Sequence, residues 1–169
     1  LVEYFLKEGD HRVLGISRSM SKLKHERFFQ VEADVSVITT DELLQRVKSH
    51  FHRVDLLINN AGLYGPKGYA FGEVDTAAWR DVLEVNTIAP LVVAEYFTPH
   101  ITKARHSGHT PIFAFLSSKV GSMSDNQSGG GYIYRSSKAA LNAVIKSLSI
   151  DLRDQGIRAV ALHPGWVQT

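Results

Sequence analysis

Two periods of apolar residues run along the chain, one typical of buried strands and one typical of amphipathic helices. Short apolar runs that end in polar or glycine-containing turns indicate strands buried on both faces of a sheet. Longer segments with apolar residues at helical spacing indicate helices with one apolar face. Because the two kinds of segment alternate, the sequence predicts an α/β fold with a doubly wound parallel sheet. The predicted strands are residues 11–16, 28–32, 54–58, 112–116 and 157–162, and the predicted helices are residues 1–7, 40–51, 76–103 and 132–155.

Three of these strands run directly into small or polar residues. They are followed by Asn59-Asn60-Ala61-Gly62, by Ser117-Ser118 and by His163-Pro164-Gly165. Open α/β sheets bind ligands at the carboxyl ends of their strands, and small residues let the backbone approach a ligand closely. The sequence therefore predicts a ligand site at this edge, although each turn taken alone is also explained as an ordinary end of a strand.

Tyr134 and Lys138 lie four residues apart on a predicted helix, so their side chains share one face. An ammonium group beside a phenol stabilises the phenolate and lowers the phenol pKa from about 10. That pairing would make Tyr134 a usable acid near neutral pH, and Ser118 from a neighbouring strand would hold a substrate oxygen beside it. Tyr-x-x-x-Lys by itself is common on helices and does not indicate catalysis.

Asn86 lies in the middle of the predicted helix 76–103. Asparagine is unfavourable there because its side chain competes for backbone hydrogen bonds. A compensating contact is one explanation, and a kink caused by Pro90, four residues later, is the other.

Ser17 and Arg18 follow the first predicted strand. In dinucleotide folds an acidic residue at this point accepts a hydrogen bond from the ribose 2′-hydroxyl of NAD, whereas arginine pairs with the 2′-phosphate of NADP. The sequence therefore favours NADP(H) over NAD(H). A surface arginine without a role is the alternative.

The composition is that of a globular chain: 169 residues, 44% apolar and 21% charged, with a net charge of +2. The small net charge gives no support for a nucleic-acid partner. Cysteine is absent and the eight histidines are scattered, which argues against a metal site. No apolar run reaches the ~18 residues that a membrane span requires. No signal peptide is visible, so we expect a cytoplasmic protein without a membrane partner.

In their order and spacing, these elements resemble the short-chain dehydrogenase/reductase family, and most of all its C-factor and sniffer-type carbonyl reductase branch. The resemblance extends along the whole chain. The matching elements are Asn59-Asn60-Ala61-Gly62, Asn86, Ser118, Tyr134, Lys138, Pro164-Gly165 and Thr169.

This resemblance implies a Rossmann-like fold and hydride transfer between NADPH and a small carbonyl or alcohol substrate. It implies that Tyr134 is the acid/base, that Lys138 lowers its pKa and holds the nicotinamide ribose, and that Ser118 orients the carbonyl oxygen. Ser118 matches the family motif by its spacing from the next glycine, whereas Ser117 would face the other side of the strand. Asn86 is similar to the family residue that holds a water in a proton relay.

Cofactor contacts are also implied. Asp34, which ends the second strand, is similar to a residue near the adenine amine, and a helix N-cap or turn aspartate is the alternative. Val167 and Thr169 are implied to meet the nicotinamide carboxamide. The other implied contacts are Asn59, Asn60, Ala61, Gly62, Tyr134, Lys138, Pro164 and Gly165.

Family members begin with a further strand and a glycine-rich turn, and they continue with a substrate-covering segment. Neither is found in this sequence, so we expect residues 1–169 to be a partial NAD(P)-binding domain, an internal piece of a longer chain. Helices similar to 76–103 and 132–155 often form dimer interfaces in the family, which favours a homo-oligomer. The alternatives are a nucleotide-binding signalling protein on the same fold, an enzyme of the nucleotide-sugar epimerase and dehydratase group, and an inactive fragment.

The substrate itself is not predicted. Several large apolar residues near the proposed site suggest an apolar pocket, and surface or core packing explains them equally well. They are Tyr64, Tyr69, Phe71 and Met123.

Overall fold

The computed structural model describes residues 1–37, 47, 50–67 and 71–165. Its residues form two compact units, Leu1–His52 and Arg53–Thr169. Most of the predicted helix 40–51 lies outside the described residues, as do Tyr69, Val167 and Thr169.

The first unit contains one helix and two parallel strands. These are α1 (Val2–Lys7), β1 (Val13–Ser17) and β2 (Phe28–Glu32), followed by a 3-10 turn at Val35–Val37. Val13 pairs with Phe28 and Ser17 pairs with Glu32, so both strands end at the same edge. The Arg27 guanidinium donates hydrogen bonds to the carbonyls of Leu6 and Gly9, which satisfies backbone groups at the end of α1.

The second unit is built on three parallel strands in the order β3 (Leu56–Asn59), β4 (Ile112–Leu116) and β5 (Arg158–Leu162). Phe113 and Phe115 of β4 are completely buried, because this central strand has neighbours on both sides. The described helices of this unit are α2 (Thr76–Leu83), α3 (Ala89–His106) and α4 (Tyr132–Asp151).

A π-helical turn at Glu84–Ile88 joins α2 to α3, so the predicted helix 76–103 is one continuous helix with a widened turn. Asp75 caps its start by accepting hydrogen bonds from the N–H groups of Ala77 and Ala78. Asn86 lies within the π turn and Pro90 follows it. The proline ring has no N–H for the Asn86 carbonyl and would clash with that carbonyl in a regular helix, which favours the wider turn.

The predicted parallel α/β fold is confirmed. Strands 28–32 and 112–116 have the predicted bounds, and the other strands begin or end within two residues of them. Helix 132–155 is shorter than predicted, because α4 ends at Asp151 and a turn leads to Gly156 in a left-handed conformation. Among the described helices, none is long and apolar enough to cross a membrane. The described residues also contain no group of three potential histidine, aspartate or glutamate metal ligands.

Candidate active site

The Lys138 ammonium is buried at the carboxyl end of β4. It donates a 2.7 Å hydrogen bond to the Leu116 carbonyl, and its Nζ lies 5.7 Å from the centroid of the Tyr134 ring. Lys138 is only 4% exposed, and this burial lowers its pKa to about 8. Tyr134, Lys138 and the end of β4 are therefore brought together as the sequence predicted.

Tyr134 is half-buried, and burial raises the pKa of its phenol, with a smaller contribution from the neighbouring Tyr64. This direction is opposite to the lowering expected from Lys138, whose ammonium bonds the Leu116 carbonyl. Burial of the phenol is the largest cause of the raised pKa.

Ser117 and Ser118 have different environments, as the alternation along a strand predicted. Ser117 is buried and donates a 2.6 Å hydrogen bond to Asn142 on α4. Ser118 caps the 3-10 turn Lys119–Gly121, where its hydroxyl accepts from the Val120 N–H at 3.4 Å. This weak contact leaves the Ser118 hydroxyl able to bond a substrate oxygen, whereas Ser117 is a packing residue.

The turn that carries Ser118 packs directly on the backbone of α4. A Cβ at Gly121 would lie 2.7 Å from the carbonyl carbon of Lys138 and 2.9 Å from its oxygen, so only glycine fits. The Arg135 guanidinium also donates to the Val120 carbonyl at 3.3 Å. These contacts hold Ser118 beside the helix of Tyr134 and Lys138.

Asn86 is completely buried, and its side chain joins three parts of the unit. Its Nδ2 donates to the Leu63 carbonyl at 2.7 Å and to the Ser137 hydroxyl at 3.0 Å. Its Oδ1 accepts from the Leu63 N–H at 2.7 Å. Thr87 adds a bond from its hydroxyl to the Ser137 carbonyl. The unfavourable mid-helix position is therefore compensated by tertiary hydrogen bonds.

These bonds bear on the expectation that Asn86 holds a water. Its side-chain donors and acceptor are engaged with protein groups, so the side chain serves as a clamp between loop and helix. Pro90, four residues after Asn86, has no N–H to donate to the Asn86 backbone carbonyl. Any water contact of this residue is thus expected at its backbone.

The Asn60, Ala61 and Gly62 segment is exposed at the carboxyl end of β3. A Cβ at Gly62 would lie 3.4 Å from Asn86 Oδ1 and 4.0 Å from Lys138 Nζ. Glycine therefore keeps the approach to the lysine open. The Nδ2 of Asn59 is buried and has no hydrogen-bond partner within the described part of the chain.

Ser17, Arg18 and Asp34 lie at the shared edge of β1 and β2 in the first unit. The Ala33 N–H bonds the Ser17 carbonyl, and Arg18 is close enough to Asp34 for its charge to help lower the carboxyl pKa. Larger contributions to this lowered pKa come from Ser36, whose hydroxyl and N–H both donate to Asp34. Asp34 is thus bonded within its own turn, and Arg18 is exposed.

Pro164 and Gly165 follow β5 in an exposed segment, and Gly165 has a left-handed conformation with φ of 76°. Val167 and Thr169, the implied carboxamide contacts, lie outside the described residues.

A cleft of about 460 Å³ opens at the carboxyl ends of β4 and β5. Ser118 lines this cleft, whereas Tyr134 and Lys138 do not. Of these three residues, Ser118 alone therefore borders the cleft. Its lining residues are Ser117, Ser118, Lys119, Ser122, Ser124, Asp125, Asn142, Ala161, Leu162 and His163.

Two residues of this site, Ser137 and Arg135, were not predicted from the sequence. Ser137 is completely buried and accepts the hydrogen bond from Asn86. Arg135 bonds both Val120 and Ser128. Tyr64, one of the apolar residues expected near the site, stacks on Tyr134, and nothing in its local sequence indicates that contact.

Comparisons with known proteins show the family to which the chain belongs. The family model described as short chain dehydrogenase matches residues 1–169. The chain is 44% identical over 116 residues to "C-signal" of Myxococcus xanthus, covering 69% of this chain and 67% of that protein.

Two solved structures are similar. Carbonyl reductase Sniffer of D. melanogaster has a TM-score of 0.78 and 34% identity, covering 84% of this chain and 61% of that one. An NADPH-bound carbonyl reductase from chicken fatty liver has a TM-score of 0.81 and 29% identity, covering 98% of this chain and 73% of that one.

The chain thus spans about two thirds of the C-signal protein, and the predicted likeness to the C-factor and sniffer branch is confirmed. By the match along its whole length, this protein is a member of the short-chain dehydrogenase family.

Proposed function

We propose that this protein is an NADP(H)-dependent oxidoreductase that interconverts a small carbonyl compound and its alcohol, with Tyr134 as the proton donor and acceptor. The observation that supports this proposal most is the buried Lys138 ammonium. It lies 5.7 Å from the Tyr134 ring and is bonded to the strand end that leads to Ser118. A buried charge of this kind is costly, and functional sites are where such costs are commonly found.

The protein residues perform the proton chemistry. The Tyr134 phenol is neutral near pH 7, so it donates its proton to the carbonyl oxygen as negative charge develops there. The Ser118 hydroxyl donates a hydrogen bond to the same oxygen and holds it beside the phenol. The Lys138 charge stabilises the phenolate that remains, and in the alcohol-oxidising direction that phenolate takes the proton back.

The described residues of the second unit fit the nicotinamide end of a dinucleotide. Gly62 leaves open the space in front of Lys138, and the buried Asn59 Nδ2 is a donor at the end of β3. Arg18 would hold the 2′-phosphate and Asp34 would lie near the adenine. When bound, the reduced nicotinamide supplies the hydride that adds to the carbonyl carbon. The similar chicken carbonyl reductase is described as NADPH-bound, which supports NADP(H).

The remaining implied cofactor contacts, Asn60, Ala61, Pro164, Gly165, Val167 and Thr169, are part of the same proposal. We also propose that the protein assembles as a homo-oligomer, which sedimentation of the purified chain would test. A monomer at high concentration would contradict that part.

Tyr134→Phe tests the proton-transfer role. This variant keeps the ring and loses the hydroxyl, so we expect NADPH-dependent reduction of an aldehyde and ketone panel to fall by about 10³-fold. NADPH binding, followed by fluorescence titration, should change little. Tyr132→Phe, on the same helix and two residues away, is the matched control and should keep its activity. Reduction by Tyr134→Phe at the wild-type rate would contradict the proposal.

A signalling protein on the same fold is the second candidate, and the 44% identity to the protein named "C-signal" favours it. Binding of NADPH without turnover of any carbonyl or alcohol in the panel would support this candidate over the reductase. Turnover that depends on Tyr134 would support the reductase.

A further inference from the structure

We infer that Tyr64 is a positioning residue for Tyr134: its ring, stacked on the Tyr134 ring and held by a rigid loop, fixes the direction of the phenol and shields it from water. This inference rests on the proposed role of Tyr134 as the proton donor, and it assigns a second aromatic residue to the same site.

The contact between the two tyrosines is a ring stack. Their centroids lie 4.7 Å apart with an interplanar angle of 27°, which is within the range of favourable offset stacking. The Lys67 ammonium lies 5.8 Å from the Tyr64 centroid, so this ring also takes part in a cation–π contact. Tyr64 keeps these contacts although 58% of it is exposed.

The backbone on the N-terminal side of Tyr64 is fixed by Asn86. Both the N–H and the carbonyl of Leu63 are bonded to the Asn86 side chain at 2.7 Å. Because that side chain is completely buried, Leu63 has little freedom to move.

The backbone on the C-terminal side is fixed by Gly65. This glycine is left-handed with φ of 77°, and a Cβ there would lie 2.9 Å from Val82 Cγ2 and 3.3 Å from Ile133 Cγ2. Ile133 directly precedes Tyr134, so the loop packs against the same turn of α4 that carries the phenol. Tyr64 is therefore held between two restrained residues.

An exposed tyrosine on a free loop would sample several rotamers and would not hold a neighbouring ring in place. Here the loop loses its conformational entropy on folding, before any substrate binds, so the Tyr134 ring is pre-organised. The stack also covers part of the phenol ring, in keeping with the raised pKa of Tyr134, to which burial contributes most and Tyr64 also contributes.

The experiment compares Tyr64→Leu, which removes the aromatic ring, with Tyr64→Phe, which keeps it. Tyr4→Leu is the matched control, because Tyr4 is 60% exposed and touches Phe5 of α1. The Tyr134 pKa is measured by NMR titration of protein carrying ¹³C-labelled tyrosine. The chain has six tyrosines, and Tyr134→Phe identifies the resonance of interest.

We expect Tyr64→Leu to lower the pKa of Tyr134, because it removes both burial and a neighbouring phenol. Tyr64→Phe should lower it less, and Tyr4→Leu should leave it unchanged. In carbonyl reduction, Tyr64→Leu should lower kcat about tenfold with little change in the KM for NADPH, because the acid is less well oriented. Tyr64→Phe should retain a kcat within about twofold of wild type.

An unchanged Tyr134 pKa in Tyr64→Leu would overturn the inference, as would an unchanged kcat. If Tyr64→Leu fails to fold, Tyr64→Met, which also removes the aromatic ring, replaces it, and an unaltered Tyr134 pKa and kcat in that variant overturn the inference. The NMR titration does not need turnover. A wild-type protein without reductase activity would therefore contradict the proposed function. The Tyr134 pKa in the variants would still test whether Tyr64 shields the phenol.

Discussion

The Asn86 side-chain amide donates a 3.0 Å hydrogen bond to the Ser137 hydroxyl, and both residues are completely buried. The Ser137 hydroxyl in turn donates to the Tyr134 carbonyl at 2.8 Å. This pair therefore ties the π turn to the segment of α4 between the proposed acid and Lys138.

Removing either partner of that bond should destabilise the protein, and removing Asn86 should lower its stability more than removing Ser137. Ser137→Ala loses two hydrogen bonds, those to Asn86 and to the Tyr134 carbonyl, and should lower the free energy of unfolding by about 2 kcal/mol. Asn86→Ala also leaves both backbone groups of Leu63 without their bonds, so we expect about 3 kcal/mol. Urea unfolding measures both values. Ser149→Ala, whose hydroxyl bonds the Lys146 carbonyl of the same helix, is the control. The clamp role would be refuted by an Asn86→Ala chain as stable as that control.

Burial of Lys138 should make stability depend on pH. Its pKa is about 8 in the folded protein and 10.5 in an exposed lysine, so over this range the unfolded chain binds more protons than the folded one. Stability should therefore rise with pH between these values, and the cost of the buried charge should be largest below pH 8.

Thermal unfolding across that pH range tests this prediction with a matched pair of variants. Lys138→Met should lose part of the rise in stability, whereas Lys146→Met, at an exposed site on α4, should behave as the wild type. The same rise in both variants would show that Lys138 has an ordinary pKa.

Gly121→Ala should disrupt the site through packing alone. The added methyl group would lie within 3 Å of the Lys138 carbonyl, and neither backbone can move freely. We expect a loss of about 3 kcal/mol in stability and a large loss of reductase activity, because the turn carrying Ser118 would move away from α4. Gly72→Ala is a useful contrast, since no atom of the described residues lies within 4 Å of a Cβ there, although its φ of 96° adds strain. If the two variants were equally active, the close approach at Gly121 would have no bearing on catalysis.

Arg18→Ala should weaken the binding of NADPH far more than the binding of NADH. The lost guanidinium would pair with the 2′-phosphate, a charge-assisted contact worth roughly 1.5–3 kcal/mol. Isothermal titration with both nucleotides measures the difference, with Lys24→Ala as an exposed control. If the variant lost the same affinity for NADPH and for NADH, Arg18 would not contact the 2′-phosphate.

The strands could be predicted because their signal is local. Ile112–Leu116 is an apolar run between polar residues, and its observed bounds are those predicted from that pattern. Likewise, the spacing of Tyr134 and Lys138 is enough to put both side chains on one face of α4.

The π turn and the raised pKa of Tyr134 could not be predicted in this way. Asn86 is bonded to Leu63, 23 residues away, and to Ser137, 51 residues away, and no local pattern contains those contacts. The Tyr134 pKa depends on burial and on Tyr64, which the folded loop brings to it. The spacing along a helix predicts which side chains lie close together, whereas their pKa values depend on how far folding removes them from water.

The widened turn at Glu84–Ile88 has a consequence for the long helix as a whole. One additional residue in a turn changes the angular phase of everything that follows by about 100°. Val82 before the turn and Phe97 after it are both buried, so each half of the helix has an apolar side packed within the unit. Shortening the segment by a single residue would rotate one half relative to the other by about 100° and turn part of its apolar side towards water, whereas an exposed loop of the same length would accept that deletion.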